Sequence, residues 1–216
     1  MSVTAQDIAN LRAQTGAGML DCKKALDEAG GNHEKAIEIL RAKGITKAAK
    51  RAGNVASEGI VGSYIHGGGK VGVLVEVNCE TDFVAKNDAF QTFVKDIAMH
   101  IAASAPRYVS RSEVPAEEVE KEKRVYREQM AGDKKPADMI EKIIEGKLGK
   151  FYSETCLLEQ SFIKDEDKTV EQLLIQKTSE IGEKITVRRF ARFVLGEGIE
   201  KKEKDFVAEV EAQLTH

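Results

Sequence analysis

The spacing of the hydrophobic residues changes near residue 60, and this change divides the chain. Before it, apolar residues recur at helical spacing in short runs that glycines interrupt. After it, apolar residues occupy every second position at Val71, Val73, Val75 and Val77, which is the repeat of a β-strand with one buried face. The sequence therefore predicts a helical amino-terminal part followed by a part that contains a sheet.

Short helices joined by glycine turns are predicted in the amino-terminal part. Thr4 and Asp7 have the spacing of a capping box at the start of the first helix. Gly16 and Gly18 interrupt the pattern before the second helix. Asn32 follows a pair of glycines and is a suitable cap for the third. We expect these three helices to form one small module.

A basic linker is predicted after the three helices. Gly44 is expected to end the third helix, because glycine is common just after a helix C-terminus. From residue 44 to residue 58 the apolar periodicity fades, and basic residues lie among small ones. The three-helix module is therefore assigned to residues 1–43 and the linker, which we expect to be partly helical, to residues 44–58.

The part after the linker begins with a predicted β-hairpin and a helix. Gly67–Gly69 separates two strand-like runs, as in a hairpin turn. Asp88 is the predicted cap of the helix that follows. The apolar face of that helix carries Phe90, Phe93, Ile97 and Ile101.

Further helices and a long strand complete the predicted core. Helices are expected to begin near Pro115, Pro136 and Thr169, the last with a capping box. A strand is expected at residues 185–195, with a bulge near Arg188 because the alternation slips there.

The predicted fold class is α+β. Residues 59–196 form a core in which helices cover one face of a small antiparallel sheet. Residues 197–216 are predicted to be a C-terminal helical module, marked by Phe206, Val210 and Leu214 at helical spacing.

The composition argues against several classes of protein. The formal net charge is −3 and the pI is about 5.9, whereas a duplex-DNA binder usually has a net basic domain. The sequence has neither an apolar run of membrane-spanning length nor a signal-peptide core. Cys22, Cys79 and Cys156 are an odd number at wide spacing, which is typical of a reducing compartment. We expect a cytoplasmic protein that binds neither membrane nor nucleic acid directly.

The sequence contains no recognisable catalytic, cofactor or metal motif. Gly67–Lys70 is not a P-loop, because a valine and a strand follow the lysine instead of Ser or Thr and a helix. Gly16–Gly18 has no preceding strand, so it is not a dinucleotide-binding turn. The four histidines lack metal-ligand spacing, and no nucleophile motif is present. We therefore expect no enzyme activity, no cofactor and no bound metal.

Two segments contain apolar residues whose position, in the core or on a protein-binding surface, the residues alone do not decide. Met19 and Leu20 lie beside Lys23 and Lys24, a mixture that suits either a core edge or a protein-binding surface. The turn after the hairpin contains Phe83 where turns usually carry small polar residues. Phe83 either packs back onto the core, which the residues alone favour, or projects toward another protein.

Two long motifs are similar to those of the bacterial translation elongation factor Ts family. LRAQTGAGMLDCKKAL at residues 11–26 resembles the family's amino-terminal motif, and EVNCETDFVAK at residues 76–86 resembles its second motif. Shorter similarities are KRAGN at residues 50–54 and FVLGEGIEK at residues 193–201. The resemblance spans nearly the whole chain.

The resemblance implies a guanine-nucleotide exchange factor for elongation factor Tu. It implies an amino-terminal module like ubiquitin-associated domains, which docks on the GTPase domain of elongation factor Tu. The docking positions carried over are Arg12, Met19, Leu20, Lys23, Lys24 and, more weakly, Arg51.

The second motif is similar to the segment that displaces the partner's magnesium ion. The positions carried over are Thr81, Asp82, Phe83 and Val84. Phe83 would insert between two helices of the GTPase domain, and Asp82 would disturb the network around the ion.

With a single Thr-Asp-Phe-Val turn in 216 residues, the chain resembles the short form of the family. Long members carry two related core subdomains and a protruding coiled coil. The charged helix after Pro115 is expected to be a reduced version of that coiled coil. We therefore expect a homodimer that binds two molecules of elongation factor Tu. Two alternatives remain: an interaction module without exchange activity, and an enzyme that depends on Lys70 of the glycine-rich hairpin.

Overall fold

The structure, a computed structural model, describes residues 3–131 and 135–199. The α-helices are α1 Ala5–Thr15, α2 Met19–Glu28, α3 His33–Arg51, α4 Asp82–Ala85, α5 Asp88–Ser104, α6 Ala116–Gln129, α7 Ala137–Thr155 and α8 Val170–Ile181. The strands are β1 Glu58–His66, β2 Val71–Cys79, β3 Ser161–Phe162, β4 Asp165–Thr169 and β5 Thr186–Val194. The predicted α+β class is confirmed.

The amino-terminal helices form the predicted three-helix arrangement with a small core of its own. The capping box is present: Asp7 N–H donates to Thr4 Oγ1 at 3.2 Å, and Thr4 N–H donates to Asp7 Oδ2 at 2.9 Å. Gly16 ends α1 with a φ of 66°, a left-handed conformation that glycine adopts without strain. Helices α1, α2 and α3 meet at fully buried Leu11, Cys22, Ala25, Leu26 and Ala36.

The predicted end of the third helix at Gly44 is wrong, because α3 continues to Arg51. Gly44 is buried, and a Cβ there would lie 3.5 Å from Ser179 Oγ on α8. A Cβ at that distance would make an ordinary van der Waals contact, so Gly44 lies within the packed contact between α3 and α8 and does not stop the helix. Most of the segment predicted as a basic linker is therefore helical, while the division into domains remains a prediction. The predicted helix at residues 200–216 lies outside the described residues.

The sheet is antiparallel, with strand order β1-β2-β5. The hairpin predicted around Gly67–Gly69 is confirmed. The predicted bulge is also present: Glu76 pairs with Arg189 and Val77 pairs with Val187, which leaves Arg188 as the extra residue. The bulge allows the side-chain alternation of β5 to stay in step with that of β2.

Helix α5 covers one face of the sheet. Its predicted apolar residues are each at most 2% exposed, and they pack on the valines of β2. Gly62 of β1 permits this contact, because a Cβ there would lie only 2.5 Å from Val94 Cγ1. The cap of α5 is Asn87, whose side chain accepts from Ala89 N–H at 2.8 Å, so the prediction of Asp88 was wrong by one residue.

Helices α6 and α7 form an antiparallel pair beside the core. Their contact is apolar and contains Val119, Tyr126, Ile144 and Leu148. Arg127 of α6 pairs with Glu141 of α7 on the exposed side. The charged helix after Pro115 is thus one arm of a helical hairpin.

His100 on α5 is a fully buried, neutral side chain. Its Nδ1 accepts from Ile163 N–H at 3.3 Å, so its Nε2 carries the proton and donates to Gln160 Oε1 at 3.0 Å. Burial lowers the pKa of His100, and the bond to Gln160 only partly opposes this effect.

The pH dependence of stability follows from this lowered pKa. Below the ordinary histidine value of about 6.5 the unfolded chain binds a proton that folded His100 does not, so stability present above that pH is lost as pH falls. We expect urea unfolding to show this loss between about pH 7 and pH 5 in the wild type. His100→Gln should have a flatter profile. An unchanged slope in His100→Gln would contradict the assignment.

Candidate functional site

The segment between β2 and α5 projects an aromatic side chain into solvent. Phe83 is 81% exposed, the highest value for a large apolar side chain in the described residues. Packing of Phe83 on the core, the outcome that the residues alone favoured, is therefore excluded. The segment was predicted to be a connecting turn. It is instead the one-turn helix α4.

The local sequence explains why α4 forms and why Phe83 points outward. Thr81 is the N-cap, and its Oγ1 accepts from Val84 N–H at 3.4 Å. Ala85 is buried, and Val84 packs against the main core. Because successive helical residues are about 100° apart around the axis, anchoring these two leaves Phe83 on the opposite side.

Asp82 places a negative charge beside Phe83. Its Oδ2 accepts from Lys86 Nζ at 2.7 Å, one helical turn later. This hydrogen bond lowers the pKa of Asp82 and raises the pKa of Lys86. The site therefore presents a phenyl ring next to a carboxylate that stays ionised at neutral pH.

The base of α4 is held by carboxylates that sequence analysis did not identify. Glu183, between α8 and β5, accepts from the backbone N–H groups of Glu80 and Thr81 at 3.1 and 3.0 Å. Glu80 in turn accepts from Lys184 N–H at 2.6 Å. No local signal marks Glu183 as a partner of this segment, because it lies 102 residues from Thr81 in the chain.

A second exposed surface lies at the start of α2. Met19 is 47% exposed and Leu20 is 63% exposed, so neither side chain belongs to the core of the three-helix module. The cations Arg12, Lys23 and Lys24 are also exposed. Within the described ranges these three cations make no ion pair. We call Arg12, Met19, Leu20, Lys23 and Lys24 the module surface.

Arg51 lies apart from the module surface. It is the last residue of α3, and its Nη1 donates to Glu80 Oε1 at 3.2 Å. Asn54 Nδ2 donates to the other oxygen of the same carboxylate at 2.9 Å. The end of α3 is therefore joined to the base of α4.

The face of the sheet opposite α5 is apolar and uncovered in the part of the chain that is described. Val61, Ile65, Leu74 and Phe193 project from it and are 49–67% exposed. The register brings Ile65, Leu74 and Phe193 together, because Gly72 on the central strand pairs with Ile65 on one side and Phe193 on the other. Val61 lies on the same face, opposite Glu76. We call these four residues the outer sheet face.

The described residues contain no clustered metal ligands. No group of three or more His, Cys, Asp or Glu side chains in these ranges could hold a metal ion. Cys22, Cys79 and Cys156 are buried free thiols. Of the helices in residues 3–131 and 135–199, none is long and apolar enough to cross a membrane.

The chain is similar to known translation factors over nearly its whole length. The family model described as Elongation factor TS matches residues 4–197. The chain is 64% identical over 212 residues to Elongation factor Ts of Geobacter sulfurreducens, with 98% of each chain covered. It is 62% identical over 212 residues to the Acetivibrio thermocellus protein of the same name, with 98% of this chain and 99% of the relative covered.

Proposed function

We infer the function of this chain from its family: it belongs to the elongation factor Ts family and is a guanine-nucleotide exchange factor for elongation factor Tu in translation elongation. Exchange makes and breaks no covalent bond, so we propose no enzyme chemistry for it. Its place of action is then the cytoplasm, where elongation takes place. The observation that carries the mechanism is the exposed Phe83 on an anchored helical turn.

We propose that Asp82 and Phe83 disturb the magnesium site of the GDP-bound partner. The ion neutralises charge on the nucleotide phosphates and holds the switch segments in place. Phe83 enters between two helices of the GTPase domain, and the carboxylate of Asp82 disturbs the network of groups around the ion. Thr81 and Val84 hold the two side chains in position. Loss of the ion weakens GDP binding, and by linkage GDP weakens binding of the exchange factor by the same factor.

The module surface supplies affinity rather than chemistry in this proposal. Its exposed apolar side chains flanked by unpaired cations, in the described part of the chain, suit an acidic and partly apolar partner surface. Arg51 is a weaker docking residue, because Glu80 already engages it. Docking and exchange thus depend on separate groups of side chains.

The exchange role of Phe83 is tested by release of a fluorescent GDP analogue from magnesium-loaded elongation factor Tu. Wild-type chain should accelerate release, and Phe83→Ala should lower the maximal rate by about tenfold, as expected for an aromatic anchor worth about 1.4 kcal/mol or more. The free energy of unfolding should change by no more than about 0.5 kcal/mol, because the side chain is exposed. Val55→Ala, at a side chain 80% exposed elsewhere, is the matched control.

Substitutions in the module surface should change the concentration dependence of release in the same assay and not its maximal rate. Met19→Ala combined with Lys23→Ala should raise the concentration that gives half-maximal release and leave the maximal rate nearly unchanged. If wild type does not accelerate release, the exchange function is wrong. If wild type accelerates release and Phe83→Ala matches it, Phe83 takes no part in exchange; if wild type has no effect, the chain is an interaction module.

We propose that two copies pair through the outer sheet face and bind two molecules of elongation factor Tu. A contiguous apolar patch on a sheet favours association. A twofold axis would place the same four side chains of each copy against one another. Glu76, which accepts from Arg188 and Arg189, would lie at the polar rim of that contact.

Dimer formation is tested by sedimentation equilibrium. Wild type should have twice the mass of one 23.7 kDa chain, and Leu74→Glu should have the mass of one chain because it buries a charge at the centre of the contact. Met139→Glu is the matched control, because Met139 and Leu74 are both 49% exposed and Met139 lies on α7. A wild-type mass of one chain at micromolar concentration would exclude this dimer.

A further inference from the structure

Glu183 binds three donors at the base of α4. Its Oε2 accepts from Glu80 N–H at 3.1 Å and from Thr81 N–H at 3.0 Å. Its Oε1 accepts from the Thr81 hydroxyl at 2.7 Å. In the described part of the chain, the hydrogen bonds of this carboxylate all go to the two residues that precede α4.

These bonds fix the N-cap of α4. The Thr81 hydroxyl has a single proton, and it donates that proton to Glu183 while accepting from Val84 N–H. Hydrogen bonds to an ionised carboxylate are roughly twice as strong as those between neutral groups. A helix of four residues cannot hold its own direction, because forming the first turn is unfavourable in isolation. The direction of α4 therefore depends on its base.

A second carboxylate completes the attachment from the other side. Lys184 N–H donates to Glu80 Oε1 at 2.6 Å, so residues 80–81 and 183–184 exchange bonds between backbone and carboxylate. The backbone bond from Lys184 lowers the pKa of Glu80, with Asn54 and Arg51 adding to the effect. Lys184 Nζ also donates to the carbonyl oxygens of Ala52 and Asn54 at 2.7 and 2.8 Å.

We propose that Glu183 is a positioning residue for nucleotide exchange, which holds the N-cap of α4 so that Asp82 and Phe83 meet the partner in one fixed orientation. The inference rests on the proposed exchange function of α4. Glu183 does not touch the nucleotide, the ion or the partner in this scheme. Its loss leaves the module surface unchanged, so it alters the exchange step and not docking.

The test compares Glu183→Gln with wild type in the GDP-release assay. The amide keeps the size of the side chain but loses the charge and one acceptor oxygen, so the three donors are no longer all satisfied. We expect the maximal release rate to fall about tenfold. The half-saturating concentration should change less than about twofold, because docking is retained.

Glu113→Gln is the matched control for this substitution. Glu113 Oε2 accepts from Val109 N–H at 2.9 Å, a bond of the same type outside the α4 region. Glu113 accepts one such bond and Glu183 accepts three, so Glu113→Gln should lower the melting temperature no more than Glu183→Gln and should resemble wild type in release. Equal slowing by both variants would show a general stability effect and overturn the proposal.

A pair of Thr81 variants tests the same contact from the other partner. Thr81→Ser keeps the hydroxyl and should retain most of the release activity, whereas Thr81→Val removes the hydroxyl and should lower the maximal rate like Glu183→Gln. This pair decides the matter if Glu183→Gln fails to fold. Wild-type release rates in both Glu183→Gln and Thr81→Val would overturn the positioning role. If the wild-type chain does not accelerate GDP release from elongation factor Tu, the exchange function itself is rejected.

Discussion

The exchange of bonds between residues 80–81 and 183–184 is the interaction on which the arrangement of the site depends. Through it, the end of β2 is tied to the loop between α8 and β5. The same carboxylate of Glu80 also joins the end of α3. The three-helix module, the sheet and α4 therefore meet at one polar junction, from which Phe83 projects.

Exposing a large aromatic side chain to water is unfavourable, and the contacts of the neighbouring residues offset this cost. Val84 and Ala85 are anchored in the core, and the backbone on the N-terminal side is hydrogen bonded to Glu183. Of the four side chains of α4, Phe83 is the most exposed. The module surface and the outer sheet face also expose large apolar side chains, and each suits a macromolecular partner.

The sequence predicted the features that depend on local signals and missed those that depend on tertiary contacts. The caps at Thr4 and Thr169, the hairpin and the bulge all follow from residues close in the chain. The end of α3 was predicted wrongly because glycine is common just after a helix C-terminus, whereas α3 continues past Gly44 along its contact with α8. The position of the Phe83 side chain, in the core or in solvent, was ambiguous from composition alone. Glu183, which holds the base of α4, lies about a hundred residues away in the chain.

The central claim is that the junction acts on exchange only through Asp82 and Phe83, the tip of α4. A double-mutant cycle tests this claim directly. One background lacks both tip side chains, through Asp82→Ala with Phe83→Ala, and Glu183→Gln is introduced into this background and into wild type. The measured quantity is the maximal rate of GDP release. We predict that Glu183→Gln slows wild type about tenfold but changes the tip-less background by less than about twofold. An equal loss in both backgrounds would contradict the account.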